Sequence, residues 1–487
     1  MLAIQKKLTN SFLALLSLPA TAMGFALSVQ ISALSWILST KYGLDIHDVG
    51  LVWAAGPIAG IIGQVLIGLI SDNVWFWGGR RRPFILIGGV LASLMLLALP
   101  NIDVISAALG IDGILGVAIA IALTLDLAIN VSFNPTRSII ADVTDKDNRT
   151  RGYTWMQTIS GTFGVLAYAV GALFNNYVLI YSGAVLVLIF SIFPTLFITE
   201  PKELAADDTQ SSKSENTGLM QILWVIKPLW GFLGYSVYAM TARVTEMHAY
   251  DTLANWVFGV LSAGLILYTV LKKTSHLDEE SQGLESFRKV LAAHSFTWIG
   301  VQTMFVYMFA YLKQNLPALS DDQLGQVISI SFLVFNATAA VLPALVLEPV
   351  VRKIGKVKTH TICIAILALA YSGLIFLGTS PLVIYLLMAV AGIGWAATVS
   401  LPFAIMSEKV SQNKMGLYMG LFNLSVVLPQ LVASLGVGAA ISEASDKNIT
   451  FVICAVCVAI SAGAWLLVKD SGNNTKESGA LPSGGGH

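Results

Sequence analysis

The stretch Leu125-Asp126-Leu127-Ala128-Ile129-Asn130-Val131-Ser132-Phe133-Asn134-Pro135-Thr136-Arg137 decides the fold class. It lies inside an apolar run from about 112 to 140, and roughly 20 apolar residues are enough to cross the hydrocarbon core as a helix. Asp126 sits near the middle of that run, where an ionised carboxylate is costly and ionisable residues are kept for function. At about 100° per residue, Asn130 falls about 40° from Asp126 around the helix, and Arg137 about 20° from it three turns on. An acid, an amide and a guanidinium therefore share one face of a membrane helix.

The rest of the chain supplies the housing. Of 487 residues, 56% are hydrophobic and 11% charged, with a mean hydropathy of +0.75; soluble domains carry about 25% charged residues, so this is an integral membrane protein. The formal net charge is zero and there is no basic tract, which gives nucleic-acid binding no support. No catalytic triad, metal-ligand cluster or phosphate loop is visible, so neither an enzyme nor a bound metal or cofactor is expected. Cys363, Cys454 and Cys457 lie in apolar runs without neighbouring His, Asp or Glu, and read as small helix-facing residues. Lys6-Lys7 followed by apolar residues and Pro19-Ala20-Thr21-Ala22 imitates a signal peptide. The apolar run continues past that point to about Leu38, so an uncleaved first helix is expected.

Apolar runs long enough to span fall at about 12–38, 48–71, 83–100, 112–140, 153–176 and 178–198, then at 221–242 and 252–271. Six more follow at 291–312, 325–349, 359–378, 381–406, 415–440 and 449–468. The expectation is an all-α membrane protein of about 14 helices, arranged six, two, six. Residues 1–200 form a first six-helix bundle, 201–289 linker segments with an inserted helix pair, 290–470 a second bundle, and 471–487 a disordered tail ending in a cloning scar. With the amino terminus inside, the inner loops collect most of the Lys and Arg, while the outer loops hold only Lys41, Arg243, Lys313 and Lys447. That bias places both termini in the cytoplasm of a multi-pass cell-membrane protein, taken here as a bacterial inner membrane.

The two blocks of six repeat each other. Gly68-Leu-Ile-Ser-Asp72 with Gly78-Gly79-Arg80-Arg81-Arg82 is answered by Leu345-Val-Leu-Glu348 with Arg352-Lys353-Ile-Gly355-Lys356. Pro135 to Asp142 is answered by Pro402 to Glu408, and Gly152-Tyr-Thr-Trp-Met by Gly416-Leu-Tyr-Met-Gly. Two related bundles with a site near the midplane are the build of many secondary transporters.

The acid–glycine–basic loop resembles the loop signature of the major facilitator superfamily. Gly56-Pro57-Ile58-Ala59-Gly60, Ser71-Asp72, Gly79-Arg80-Arg81-Arg82-Pro83, Leu125-Asp126 with Asn130, Pro135-Thr-Arg137, Ser400-Leu-Pro402-Phe403 and Gly420-Leu-Phe-Asn423 to Pro429-Gln430 are similar to the sucrose–proton symporters. The likeness extends to the wider glycoside–pentoside–hexuronide cation symporters and covers both blocks, but not the inserted pair, for which scaffolding or lipid contact is expected. The resemblance implies the major-facilitator fold and import of a glucoside disaccharide of the sucrose or maltose class. It implies proton coupling through Asp126, with Asn130 facing the cavity, Arg137 bearing on the acid or the substrate, and Gln30 as a cavity amide.

Read from the residues, Asp126 is either a proton carrier or a structural acid paired with a cation. Arg137 is the only cation on its helix, about 16 Å away along the axis; a Pro135 kink, water or the sugar itself would be needed to join them. Helix two, Leu51 to Ile70, contains no acid, unlike the sodium-coupled relatives, which favours a proton as the coupling ion. Sugars need aromatic faces and amides. Trp53 and Gln64 on helix two, Trp298 and Gln302 on one face of a later helix, and Asn423 are substrate candidates, against ordinary helix packing. Asp72, Arg80, Arg81, Asp142, Arg151, Glu348 and Arg352 sit at cytoplasmic helix ends as a gate, against the reading of solvated topological charges. The whole reads as a monomeric symporter with sugar and the lipid bilayer as its partners. A sodium-coupled sugar symporter, a proton/drug antiporter or a non-transporting sugar sensor are the alternatives.

Overall fold

The computed structural model describes residues 9–61, 74–144, 146–200, 219–245, 248–274, 277–410 and 415–469. All the apolar runs fall on helix within those residues, and no strand occurs among them beyond an isolated bridge between Phe76 and Gly79. The first helices are α1 (Asn10–Thr40), α2 (Ile46–Trp53, helical on to Ile61), α3 (Arg82–Ala98), α4 (Ile102–Leu109), α5 (Ile114–Val143), α6 (Lys146–Leu173) and α7 (Asn176–Phe197). Next come α8 (Leu219–Val225), α9 (Trp230–Val244), α10 (Asp251–Leu271) and α11 (Glu279–Asn315). The last are α12 (Asp321–Leu342), α13 (Glu348–Ile354), α14 (Lys356–Leu377), α15 (Pro381–Ser407), α16 (Met415–Val432), α17 (Gly438–Glu443) and α18 (Ile449–Trp465).

Among the described residues, ten helices are long and apolar enough to cross a membrane, and Ile46–Ile61 and Ile449–Trp465 are shorter apolar helices. The difference from about 14 has local causes. The run at 221–242 is broken at Lys227–Leu229, where Pro228 withholds a backbone N–H. The 37-residue α11 begins with the charged stretch 279–289 and carries His294, Thr297 and Gln302 within its apolar part.

The chain divides into two compact units, residues 1–208 with 312–333, and 209–311 with 334–487. In the first, α1 packs on α6 and α7, and α3 on α5 and α7. Phe12, Leu16, Ile85, Ile139, Ile140 and Val143 form one buried apolar cluster there. The start of α12 is held by polar contacts: the Trp36 indole N–H donates to the Asp321 carbonyl at 2.7 Å, and the Ser32 and Ser329 hydroxyls meet at 2.7 Å. Val185, Ile189 and Phe193 leave an exposed apolar face on α7, which suits contact with lipid.

In the second unit α14 packs on α15 and α18, and α9 packs on α10 and α16. Arg288 of α11 donates to the carbonyls of Trp224 and Val225 at the end of α8, satisfying groups that a helix terminus leaves bare. Phe232 meets Phe296 edge-on at 6.3 Å, and the Tyr235 hydroxyl lies against Gly436. The inserted helices are thus knitted into this unit. A π-turn at Ala433–Val437 follows α16; the Tyr307 hydroxyl donates to its Ala433 and Ser434 carbonyls at 3.2 and 3.1 Å, groups that the widened turn leaves available.

Candidate functional site

In the first unit the acid at mid-helix is enclosed by three elements. Asp126 on α5 is 5% exposed. Its Oδ2 accepts the Gln30 side-chain N–H of α1 at 2.9 Å. Gly56, just beyond α2, lets that helix lie against the carboxyl: a Cβ built there would stand 3.3 Å from Oδ2. Trp53, also buried, donates its indole N–H to Ser35 Oγ at 2.8 Å and so ties α2 to α1. Asn130 follows one turn below, its amide donating to the Asp126 carbonyl at 2.8 Å. Gln64 lies outside the described residues.

An amide is an unusual neighbour for a carboxylate in its chemistry. It can donate to the ionised acid, or accept from the protonated one by presenting its oxygen. A cation would favour the ionised form only.

Arg137 stands apart from the acid on its own helix. α5 runs unbroken through Pro135, so Asp126 and Arg137 remain about 16 Å apart along its axis. The guanidinium instead stacks over Phe133, 4.3 Å from the ring centroid, and the Tyr153 hydroxyl donates to the Arg137 carbonyl at 3.3 Å. Among the described residues, no carboxylate pairs with Arg137.

The basic loop is organised by a residue outside the expected set. Glu200, buried at the end of α7, accepts the backbone N–H groups of Arg80, Arg81 and Arg82 at 2.6–3.0 Å. These are the first donors of α3, where a helix end favours negative charge. The Arg81 side chain then donates to Asp142 Oδ2 at 3.2 Å, with both groups largely buried. Arg151 donates to the Asn10 side chain, and no acid pairs with it among the described residues. Asp72 lies outside the described residues.

In the second unit Arg352 pairs with Glu348 one turn away on the exposed side of α13. The pair that matches Arg81–Asp142 is Lys356–Glu408, joining the start of α14 to the end of α15. Gly78 and Gly355, at φ +73° and +90°, make the two turns ahead of these basic residues, a backbone region closed to most side chains. The sequence correspondence of Asp142 with Glu408 was the available signal for this second pair.

The second unit also gathers aromatic rings around a residue that periodicity does not single out. Trp395 of α15 is stacked on Phe335 at 5.7 Å and meets Trp298 and Phe305 edge-on, each at 5.7 Å. Its indole N–H donates to Asn336 Oδ1 at 3.3 Å. Phe305 and Phe335 are buried behind the cluster, whereas Trp298 and Trp395 remain partly open. Gln302, 3% exposed, accepts from the Gln430 amide at 3.3 Å. Asn423 is half-buried on α16 and makes no side-chain hydrogen bond among the described residues. Rings with amides beside them are the groups that sugar recognition uses.

Two helical units, each carrying a glycine-turned basic loop answered by an acid, define a polytopic membrane protein built by internal repetition. The family model for the Major Facilitator Superfamily matches residues 16–434, and the chain belongs to that superfamily. Its relatives include the sucrose transport protein SUC4 of Arabidopsis thaliana, 22% identical over 86% of this chain and 82% of that protein. The general alpha-glucoside permease of Schizosaccharomyces pombe is 29% identical over 32% of each chain. Among solved structures, the POT family transporter PepTSo superposes with a TM-score of 0.66 at 14% identity, over 95% of this chain and 98% of that one. The E. coli xylose transporter XylE superposes with a TM-score of 0.58 at 14% identity, over 96% and 97%. These share the fold.

Proposed function

We propose that the protein is a monomeric, proton-coupled sugar symporter of the cell membrane that imports a glucoside disaccharide of the sucrose or maltose class by alternating access. Asp126 is the proton carrier in this reading. The observation that carries it is the environment of that carboxyl: buried, on a membrane helix, and hydrogen-bonded to the amide of Gln30 with no cation beside it among the described residues. An acid so placed can be neutralised by a proton and re-ionised without breaking an ion pair. Sodium wants several oxygen ligands, and helix two supplies no acid between Leu51 and Ile70.

The substrate class follows the relatives, a sucrose transport protein and a general alpha-glucoside permease. The Trp298–Trp395 surface and the Gln302–Gln430 amides of the second unit have the chemistry to meet a sugar. The Lys and Arg bias of the loops puts both termini on the cytoplasmic side.

Uptake into proteoliposomes tests the proposal. Labelled disaccharide is expected to accumulate under an inward proton gradient. Asp126→Asn should abolish accumulation while sugar still raises the thermal midpoint of the purified protein. Concentrative uptake by the Asp126→Asn variant would refute the proton assignment, and binding without flux in the unmodified protein would refute transport.

A further inference from the structure

Next to the aromatic surface of the second unit lies a basic side chain that the transport reading leaves unused. His294 is on α11, one turn before Trp298, and 1% exposed. Its Nε2 accepts the Trp298 indole N–H at 2.9 Å. Its ring is stacked on Phe422 of α16, with 4.9 Å between centroids and 19° between planes. Phe422 in turn meets Phe403 of α15 edge-on at 4.6 Å.

This arrangement uses both properties of an imidazole. A ring nitrogen that accepts a hydrogen bond carries no proton, so the bond specifies the neutral ring with its hydrogen on Nδ1. An indole N–H can only donate, and it needs an acceptor when it is withdrawn from water. The flat ring meanwhile continues the aromatic packing: Phe422, His294, Trp298, Trp395 and Phe335 run in contact across α16, α11, α15 and α12. Phenylalanine in place of His294 would keep the stack and lose the acceptor. Glutamine would lose the stack but could carry an acceptor to nearly the place of Nε2.

We propose that His294 is a positioning residue that fixes the Trp298 indole against Trp395, and so sets sugar affinity without touching the sugar. The inference rests on the reading that this aromatic surface meets the sugar. A free Trp298 ring would have other rotamers to populate, and ordering it on binding would cost affinity. The turnover step, which depends on the proton site in the first unit, would be left alone.

Initial-rate uptake in proteoliposomes measures this for His294→Phe, His294→Gln, Trp298→Phe and the double variant His294→Phe/Trp298→Phe. Loss of one positioning hydrogen bond is expected to raise KM about fivefold in His294→Phe, with Vmax within about twofold of the unmodified protein. His294→Gln should return KM to within about twofold of the unmodified value, and the double variant should be no worse than Trp298→Phe alone. A normal KM in His294→Phe together with a raised KM in Trp298→Phe would overturn the role of His294 and leave the sugar-facing reading standing. A normal KM in Trp298→Phe would overturn both. If His294→Phe does not reconstitute, His294→Gln decides: a KM raised about fivefold with the acceptor in place overturns the proposal, and a near-normal one supports it.

Discussion

A carboxyl hydrogen-bonded to an amide at mid-membrane differs from one clamped by a cation, because its two charge states can both be accommodated. That makes Gln30 and Gly56 the residues whose replacement bears most directly on Asp126. Gln30→Leu removes a hydrogen bond to a charged group, worth roughly 1.5–3 kcal/mol, and should slow gradient-driven uptake by about ten- to a hundredfold. Uptake within twofold of the unmodified rate would mean that the 2.9 Å bond carries nothing. Gly56→Ala places a methyl 3.3 Å from the carboxylate oxygen, so the acid must shift by a few tenths of an ångström, whereas a valine there leaves it no room. Uptake rates should fall from glycine to alanine to valine, with detergent thermal midpoints changing far less than the rates. Asp126 and Asn130 could be read in the sequence because a polar residue inside an apolar run is costly enough to mark itself, whereas Gln30 was marked only by the family resemblance. Trp395 could not, since an indole in an apolar run is equally at home against lipid, and only the folded arrangement sets it between Trp298 and Phe335. Of the three ways to join Arg137 to Asp126, a break at Pro135 is absent because the helix continues through the proline, which leaves water or the sugar as the link.

Elements are held by a few charged groups at their ends, and these respond differently to substitution and to pH. Glu200 supplies acceptors to three successive N–H groups at the start of α3. Glu200→Ala should lower the thermal midpoint by several degrees, with Glu200→Gln between it and the unmodified protein, as expected when about 1–3 kcal/mol of capping is lost. No spacing rule links residue 80 with residue 200, so this cap was legible only once α7 was seen to return to the loop. Glu285, on the stretch of α11 before its apolar part, joins Lys272 and Arg288. Burial alone would push its carboxyl up, but the hydrogen bonds and charges of those two partners outweigh it and hold the group below the usual glutamate range. A depressed carboxyl stabilises the fold fully at neutral pH, and the contribution disappears as pH falls through its own titration range. The midpoint difference between the unmodified protein and Glu285→Gln should therefore be present at neutral pH and vanish in acid; a difference that grows on acidification would reverse the sign of the argument.

For the whole molecule, the repeat made the fold legible and the inserted pair limited it. The repeat placed Arg81 and Asp142 among the charges at the cytoplasmic helix ends and matched Asp142 with Glu408, but the pairs Arg81–Asp142 and Lys356–Glu408 themselves came from the folded arrangement. Three of the four cations expected outside have local partners: Lys41 bonds to the Pro100 carbonyl and Asp103, Lys313 pairs with Asp321, and Lys447 donates to the carbonyls of Ile441, Ser442 and Ala444. Such local partners would let these cations sit on the expected outer side at little cost to the charge bias. Parity then becomes the sharpest test of the inserted pair. On the reading that the inserted pair crosses twice, replacing residues 219–272 by a short flexible linker should remove two crossings and leave the orientation of the second block unchanged. Replacing 248–271 alone removes one crossing and sets the basic loops of that block on the wrong side. A fluorescent protein that matures only in the cytoplasm, fused at the carboxyl end, should shine in the intact chain and in the 219–272 deletion, and stay dark in the shorter one. The 219–272 deletion should also unfold at a lower temperature, because Arg288 loses its carbonyl partners on α8 and Phe296 loses Phe232. A bright signal from the shorter deletion would mean that these helices do not cross the membrane twice, and the orientation of everything after Lys272 would have to be redrawn.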